Sequence, residues 1–254
     1  MAGQLDGKVA VVTGGGAGIG EAICRGFANE GCRVVVADRE ADWAAKVAQD
    51  IAGLAVTADV TSETEVKAIF QACDQAFGRL DVVVNNAGVV PSQVTAEDMD
   101  MGEWDQVIAI NVRGVILCTK HGIPLLKREG GAIVNMSSRV GYHGTPKQSH
   151  YAASKFAVRG ITESVAHEVG PLGIRVNSLC PGTVETEKLH ERVANRAKTS
   201  GRTVDEIMET TFIKPAALGR TIAPDEICQA AIFLATDASS AITGTHLKID
   251  AGRP

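Results

Sequence analysis

Tyr151 and Lys155 stand four residues apart in a segment of helical patterning, so both side chains leave one face of that helix. A phenol beside an ammonium can move protons. A free tyrosine titrates near pH 10 and is a poor base at neutrality. An ammonium at about 5 Å, across an effective dielectric of about 20, stabilises the phenolate by roughly 3 kcal/mol. That corresponds to about two pKa units. Such a tyrosine takes the proton of an alcohol in oxidation and returns one to a ketone in reduction. The spacing by itself is common in structural helices. What distinguishes this pair is Ser138, thirteen residues earlier, just past the apolar run of residues 131–136.

A second cluster lies near the start of the chain. The apolar run 9–13 leads into Gly14-Gly15-Gly16-Ala17-Gly18-Ile19-Gly20 and then a helical pattern. Glycines allow positive φ and close backbone approach, and the helix start adds a positive dipole end; together they receive a pyrophosphate. The pattern is T-G-x-x-x-G-x-G and not G-x-G-x-x-G, because Ile19 and Glu21 stand where a third glycine would fall. About twenty residues on, a second apolar run ends in Asp38-Arg39. A carboxylate there accepts from adenosine ribose hydroxyls and repels a 2′-phosphate, so Asp38 favours NAD over NADP. Ala17 places no cation in the turn. Arg39 is the contrary sign, able to cover the adenine or to neutralise a phosphate.

Both clusters need a scaffold that brings strand ends together. Strand patterns at 9–13, 33–37, 55–58, 81–85, 131–136, 174–179 and 246–249 alternate with helical patterns near 18–30, 40–52, 62–77, 102–127, 149–169 and 223–235. Most of the strands are continuously apolar, as parallel strands covered on both faces are. Ser62 with Glu65 fits a capping box at the third helix. The alternation predicts an α/β fold: one doubly wound, Rossmann-type parallel sheet of seven strands with helices on both faces, and ligands beyond the carboxyl ends of the strands. Residues 1–254 read as a single domain. The polar stretch 187–218, broken at Ser200-Gly201 and Pro215, is too long for a simple connection and reads as a lid of short helices.

Thr13-Gly14 with Gly18-Ile19-Gly20, then Asn85-Asn86-Ala87-Gly88, then Tyr151 with Lys155, resemble in order and spacing the motif set of the short-chain dehydrogenase/reductase family, from Lys8 to Gly252. The resemblance implies that Gly14, Gly16, Gly18, Ile19, Gly20, Asp38 and Arg39 bind the dinucleotide. It also implies that Asp59 and Val60 flank the adenine and that Asn86, Ala87 and Gly88 hold the cofactor and the central sheet. Pro181, Gly182, Val184 and Thr186 would close over the nicotinamide carboxamide. Ser138 would hold the reacting oxygen near the phenol, Lys155 would also bind the nicotinamide ribose, and Asn111 would anchor a water that links this lysine to solvent. The resemblance further implies a homotetramer built on the long helices that carry Asn111 and Tyr151. Two other readings belong beside it: a 3-oxoacyl-thioester reductase, which would favour NADPH, and a non-catalytic dinucleotide sensor or scaffold.

The loops after Gly88 and Ser138, together with the lid, should choose the substrate. They carry Gln93, Arg139, His143 and His150 and little aromatic surface, which suits a small polar molecule such as a polyol or a hydroxy acid. The lid's length is similar to that of 3-hydroxybutyrate dehydrogenases. At the carboxyl end, Asp250-Ala251-Gly252 departs from the Asp-Gly-Gly common in the family. The net charge of −5, with Lys and Arg scattered, argues against nucleic acid or an anionic membrane as partner. No apolar run reaches membrane-spanning length and the start of the chain does not resemble a secretion signal, so the expected location is the cytoplasm. Six cysteines without a C-x-x-C pair read as small buried apolar residues, with no metal site.

Overall fold

The computed structural model describes residues 3–253; Met1, Ala2 and Pro254, which belong to the expected domain, lie outside them. Seven parallel strands form one sheet: β1 (Val9–Thr13), β2 (Arg33–Asp38), β3 (Leu54–Thr57), β4 (Val82–Asn85), β5 (Gly131–Met136), β6 (Ile174–Pro181) and β7 (His246–Ile249). Their order is β3-β2-β1-β4-β5-β6-β7. The order reverses between β1 and β4, and a crevice opens there beyond the strand ends.

Two apolar layers explain why the strands read as continuous hydrophobic runs. Ala10, Val12, Val34 and Val84 face α1 (Gly18–Asn29), α2 (Ala41–Asp50) and α9 (Pro224–Ala235), packing with Ile23, Phe27 and Ile227. Val9, Val11, Val35 and Val83 point the other way, toward Ile69 and Phe70 of α3 (Glu63–Phe77) and Leu117 of α5 (Gly114–Leu126). Alternate residues of one strand therefore serve different layers, and neither set can be polar. All six cysteines are free and buried, five of them within these elements and Cys32 in the turn before β2.

Two helices differ from the sequence pattern. The expected helix 102–127 is α4 (Met101–Ile108), then a π-helical turn at Ala109–Arg113, then α5. Asn111 sits in that widened turn, fully buried, where its amide bonds both backbone groups of Val89 and the Ser154 hydroxyl. Such turns interrupt the helical ladder where a side chain is needed inside. At α3, the Ser62 hydroxyl caps the Glu65 amide as expected, but the Glu65 carboxylate accepts from Asp59 N–H. The box is thus only half formed.

The stretch 187–218 does fold as short helices, α7 (Glu187–Ser200) and α8 (Val204–Ile207), with a π-helical turn at Met208–Ile213. Leu189, Val193 and Ile207 give it a small core of its own, separate from the sheet layers. A bridge from Val184 to Ile222 and the Arg253 guanidinium, bonded to Thr183 and to the Thr211 carbonyl, hold its base. Among the described residues no helix is long and apolar enough to cross a membrane.

Ala251 adopts φ +55°, where glycine costs nothing and alanine is strained. The carbonyl of Ala251 accepts from Leu218 N–H at 3.0 Å, so the strained residue is tied to the end of the stretch 187–218. Ala251→Gly should raise unfolding stability by about 0.5–1 kcal/mol, read as a higher urea midpoint at unchanged slope; a lower midpoint would mean that the methyl packs usefully.

Candidate active site

The site is assembled by a buried row of polar side chains crossing the sheet. The Asn85 amide donates to Thr119 Oγ1 of α5 at 3.2 Å and to Asn135 Oδ1 at 2.8 Å. Asn135 in turn donates to Thr162 Oγ1 at 2.9 Å. Thr162 lies on α6 (Ser149–Val169), so α5, β4, β5 and α6 are locked in one register.

With α6 so placed, Tyr151 and Lys155 turn toward the ends of β4 and β5. Lys155 Nζ lies 5.7 Å from the centre of the Tyr151 ring and donates to the Met136 carbonyl at 2.9 Å. Ser138, just past β5, hydrogen-bonds the Tyr151 phenol, and its hydroxyl also accepts from Val140 N–H. Gly88 completes the group: a side chain there would start 3.1 Å from Asn111 Oδ1 and 3.6 Å from Lys155 Nζ. All four residues singled out for catalysis therefore converge on one place.

Burial sets the protonation of this group. It pushes the Lys155 ammonium down to about 8. It also holds the Tyr151 phenol above its ordinary value, against the Ser138 hydrogen bond and the positive charge of Arg192, which both lower it. The spacing argument expected Lys155 to depress this phenol, and the protein's own groups do not produce that result. An ammonium already engaged with a carbonyl does not offset the loss of water around a buried phenolate.

The glycine turn is built to receive an anion. Gly14 and Gly18 adopt φ +62° and +58°, and a side chain on Gly20 would begin 2.0 Å from the Gly14 carbonyl. The helix that follows has no side-chain cap at Ala17, which leaves its first amides to a ligand. Thr13 and Asn86 brace the turn: Thr13 Oγ1 accepts from the Asn86 and Ala87 amides, and the Asn86 side chain donates to the carbonyls of Thr13 and Gly14. Asp38 accepts from Gly16 N–H at 2.9 Å and from Glu40 N–H at 3.1 Å, so its carboxylate is fixed beside the turn. Arg39 pairs with Glu40 at 3.2 Å. Val60 is buried against the start of α5, while Asp59 caps its own turn through Thr61 N–H. Gly182 passes so close to Asp250 that a side chain would begin 2.8 Å from its Cα. From there Pro181, Gly182, Val184 and Thr186 carry the chain out of β6 into α7, which Thr186 caps. The uncapped amides, the pinned carboxylate and the glycines at 14, 15, 16, 18 and 20 fit a dinucleotide.

The residues expected to contact substrate are scattered. Gln93 and His143 are exposed and Arg139 is half-buried. His150 is fully buried, with both ring nitrogens unpartnered and Nε2 3.9 Å from Glu103 Oε2. It faces α4 and cannot reach a substrate from there; as the neighbour of Tyr151 on a helix, it points about 100° away from the site. Sequence reasoning passed over Ser154, which helps hold Asn111, while Arg192 of the polar stretch 187–218 sends its charge to the phenol. Neither belongs to a spacing motif.

Comparison with known proteins agrees with this architecture. A family model described as enoyl-(acyl carrier protein) reductase matches residues 14–253. The chain is 38% identical to the D-threitol dehydrogenase of Mycolicibacterium smegmatis, over 98% of this chain and 94% of that one. It is 34% identical to the D-beta-hydroxybutyrate dehydrogenase of Rhizobium meliloti, over 96% and 98%. The crystal structure of 3-ketoacyl-(acyl-carrier-protein) reductase from Brucella melitensis complexed with NADH superposes with a TM-score of 0.88, at 36% identity, covering 98% of this chain and 99% of that chain. The chain belongs to the short-chain dehydrogenase/reductase family, and is an oxidoreductase that uses a nicotinamide dinucleotide.

A lysine whose folded-state pKa lies below its unfolded one releases its proton earlier when folded. The unfolded chain then binds more protons between about pH 8 and 10.5, and stability rises with pH across that window. The difference in unfolding free energy between the native protein and Lys155→Met should therefore grow, in favour of the native protein, by on the order of 1–2 kcal/mol from pH 7.5 to 9.5. A constant difference would show that Lys155 is not desolvated.

Proposed function

We propose that this chain is an NAD-dependent dehydrogenase or reductase acting on the secondary alcohol or ketone of a small polar substrate, a polyol or a hydroxy acid. The observation that carries the reading is the convergence of Tyr151, Ser138, Lys155 and Asn111 beside a glycine turn that Asp38 holds. The cofactor, when bound, accepts or delivers the hydride at its nicotinamide and in its oxidised form brings a positive charge to the site. Ser138 holds the substrate oxygen near the phenol. Tyr151 takes its proton in oxidation and returns one in reduction, the bound cation helping to lower a phenol that burial has raised. Lys155 holds the nicotinamide ribose and keeps the phenolate state accessible. Asn111, buried in its widened turn, links this lysine toward solvent.

NAD over NADP follows from charge. A 2′-phosphate would have to sit against the Asp38 carboxylate, while Arg39, the nearest guanidinium in sequence, is engaged with Glu40. Similarity to the threitol and hydroxybutyrate dehydrogenases supports a polyol or hydroxy acid. Arg192, whose charge reaches Tyr151, would favour a substrate with an anionic end. Similarity to the Brucella melitensis reductase supports a second reading, a 3-oxoacyl thioester as substrate. Large apolar side chains exposed on the long helices, Ile116 on α5 and Phe156 on α6, support assembly as a homotetramer, in keeping with a cytoplasmic enzyme.

A panel of polyols, hydroxy acids, plain aliphatic alcohols and 3-oxoacyl thioesters, followed by the absorbance of the reduced nicotinamide, separates these substrates. Turnover no better on the polar compounds than on aliphatic alcohols removes the polar-substrate reading. Tyr151→Phe should lower kcat on the order of 10²- to 10⁴-fold with NADH affinity nearly unchanged. Asp38→Ala should shrink the preference for NAD over NADP by roughly tenfold; an unchanged ratio assigns the preference to another group.

A further inference from the structure

The first turn of the lid straddles the glycine turn. On one side, Thr186 Cγ2 lies 3.6 Å from the position a side chain on Gly18 would take. On the other, Lys188 Nζ lies 5.6 Å from the centre of the Trp43 ring. Trp43 belongs to the first turn of α2, and its Cβ is 2.7 Å from where a side chain on Gly16 would begin, with Asp38 Oδ2 at 3.0 Å from the same point. The indole thus stands at the lip of the turn, 45% exposed, and the lysine reaches across to it from the opposite wall of the groove. Between these two contacts lie the uncapped amides of α1.

The charges at this lip need a cation. Asp38, Glu40, Asp42 and Glu187 are all close in sequence to the two contacts, and Arg39 is engaged with Glu40. Among the described residues Lys188 makes no salt bridge and no side-chain hydrogen bond; its contact is the ring. A cation–π contact at an exposed site is weak, so the ammonium can be handed to a stronger acceptor while the stem stays on the indole.

We propose that Lys188, steadied on Trp43, is a ligand for the diphosphate of the dinucleotide and fastens the lid across the glycine turn. The inference rests on a nicotinamide dinucleotide occupying this groove. The α1 amides then hold the diphosphate from below and Lys188 from above; without the phosphate only the weak contact with the indole holds α7 against α2. Lid closure is thereby coupled to the adenosine-diphosphate half of the cofactor, which all substrates of the enzyme share, and not to the substrate.

The test uses the intact protein with two probes, NADH and ADP-ribose, the latter having the diphosphate without the nicotinamide. Lys188→Met should weaken both by a similar factor, about fivefold to tenfold at low salt. That loss should shrink to under about threefold in 1 M salt, where the Debye length falls to about 3 Å. Lys188→Arg should restore most of the affinity. In a Trp104→Phe background, where Trp43 is the one indole, Lys188→Met should alter Trp43 emission and its quenching by acrylamide before any ligand is added. Trp43→Leu should speed NADH release in stopped flow. Equal affinity of Lys188→Met and native protein for ADP-ribose at low salt would overturn the assignment, as would a loss that salt does not diminish. Failure of the native protein to bind NADH at all would overturn the dinucleotide reading itself, and this assignment with it.

Discussion

The row Thr119–Asn85–Asn135–Thr162 is the constraint on which the site depends. Each hydrogen bond contributes only about 1 kcal/mol net, but a buried amide deprived of its partner costs roughly 1–3 kcal/mol. Sliding α5 or α6 against the sheet would orphan several such groups at once. Apolar packing alone tolerates small slips, because valine against leucine has no preferred register of that sharpness. The polar row therefore specifies the position of α6, and α6 carries both Tyr151 and Lys155.

A second set of constraints operates on the cofactor side with the same logic. Thr13 and Asn86 hold the backbone of the glycine turn from the neighbouring strand, and Asp38 holds it from β2. These bonds brace the turn from within the protein itself, so less ordering remains to be done on binding. The carboxylate that braces Gly16 is also the group proposed to read the adenosine ribose. One side chain thus serves architecture and recognition, which is why its removal should be felt in both.

Electrostatically the centre is poised and not preset. Burial works against the charged forms of both Tyr151 and Lys155, raising one and lowering the other to about 8. In water the neutral pair and the charged pair are nearly balanced, whereas in this dry site the neutral pair is favoured. A positive ring arriving beside them shifts that balance toward phenolate. Under the proposed function, proton transfer would in this way be tied to the presence of the oxidised cofactor, through the charge it carries.

Much of this was legible in residue order. Apolar runs at strand spacing located all seven strands to within a residue or two, most of them continuous because strands packed on both faces cannot alternate, while the edge strands β3 and β7 are part exposed. The glycine run and the Tyr151–Lys155 spacing marked the two halves of the site, since backbone approach and helix periodicity act over a few residues. What the pattern missed depends on distant neighbours. The break at Ala109–Arg113 reflects Asn111 being drawn inward by Val89 and Ser154, neither of them near it in the chain. His150 looked like a loop residue poised for substrate, yet helix geometry turns it toward Glu103, a full element away. The direction of the Tyr151 shift also belongs to the tertiary structure, because desolvation depends on everything packed around the phenol. Local periodicity and turn chemistry are properties of adjacent residues and can be read along the chain; burial, charge balance and the meeting of lid and groove are properties of the surroundings, and only the folded chain supplies those.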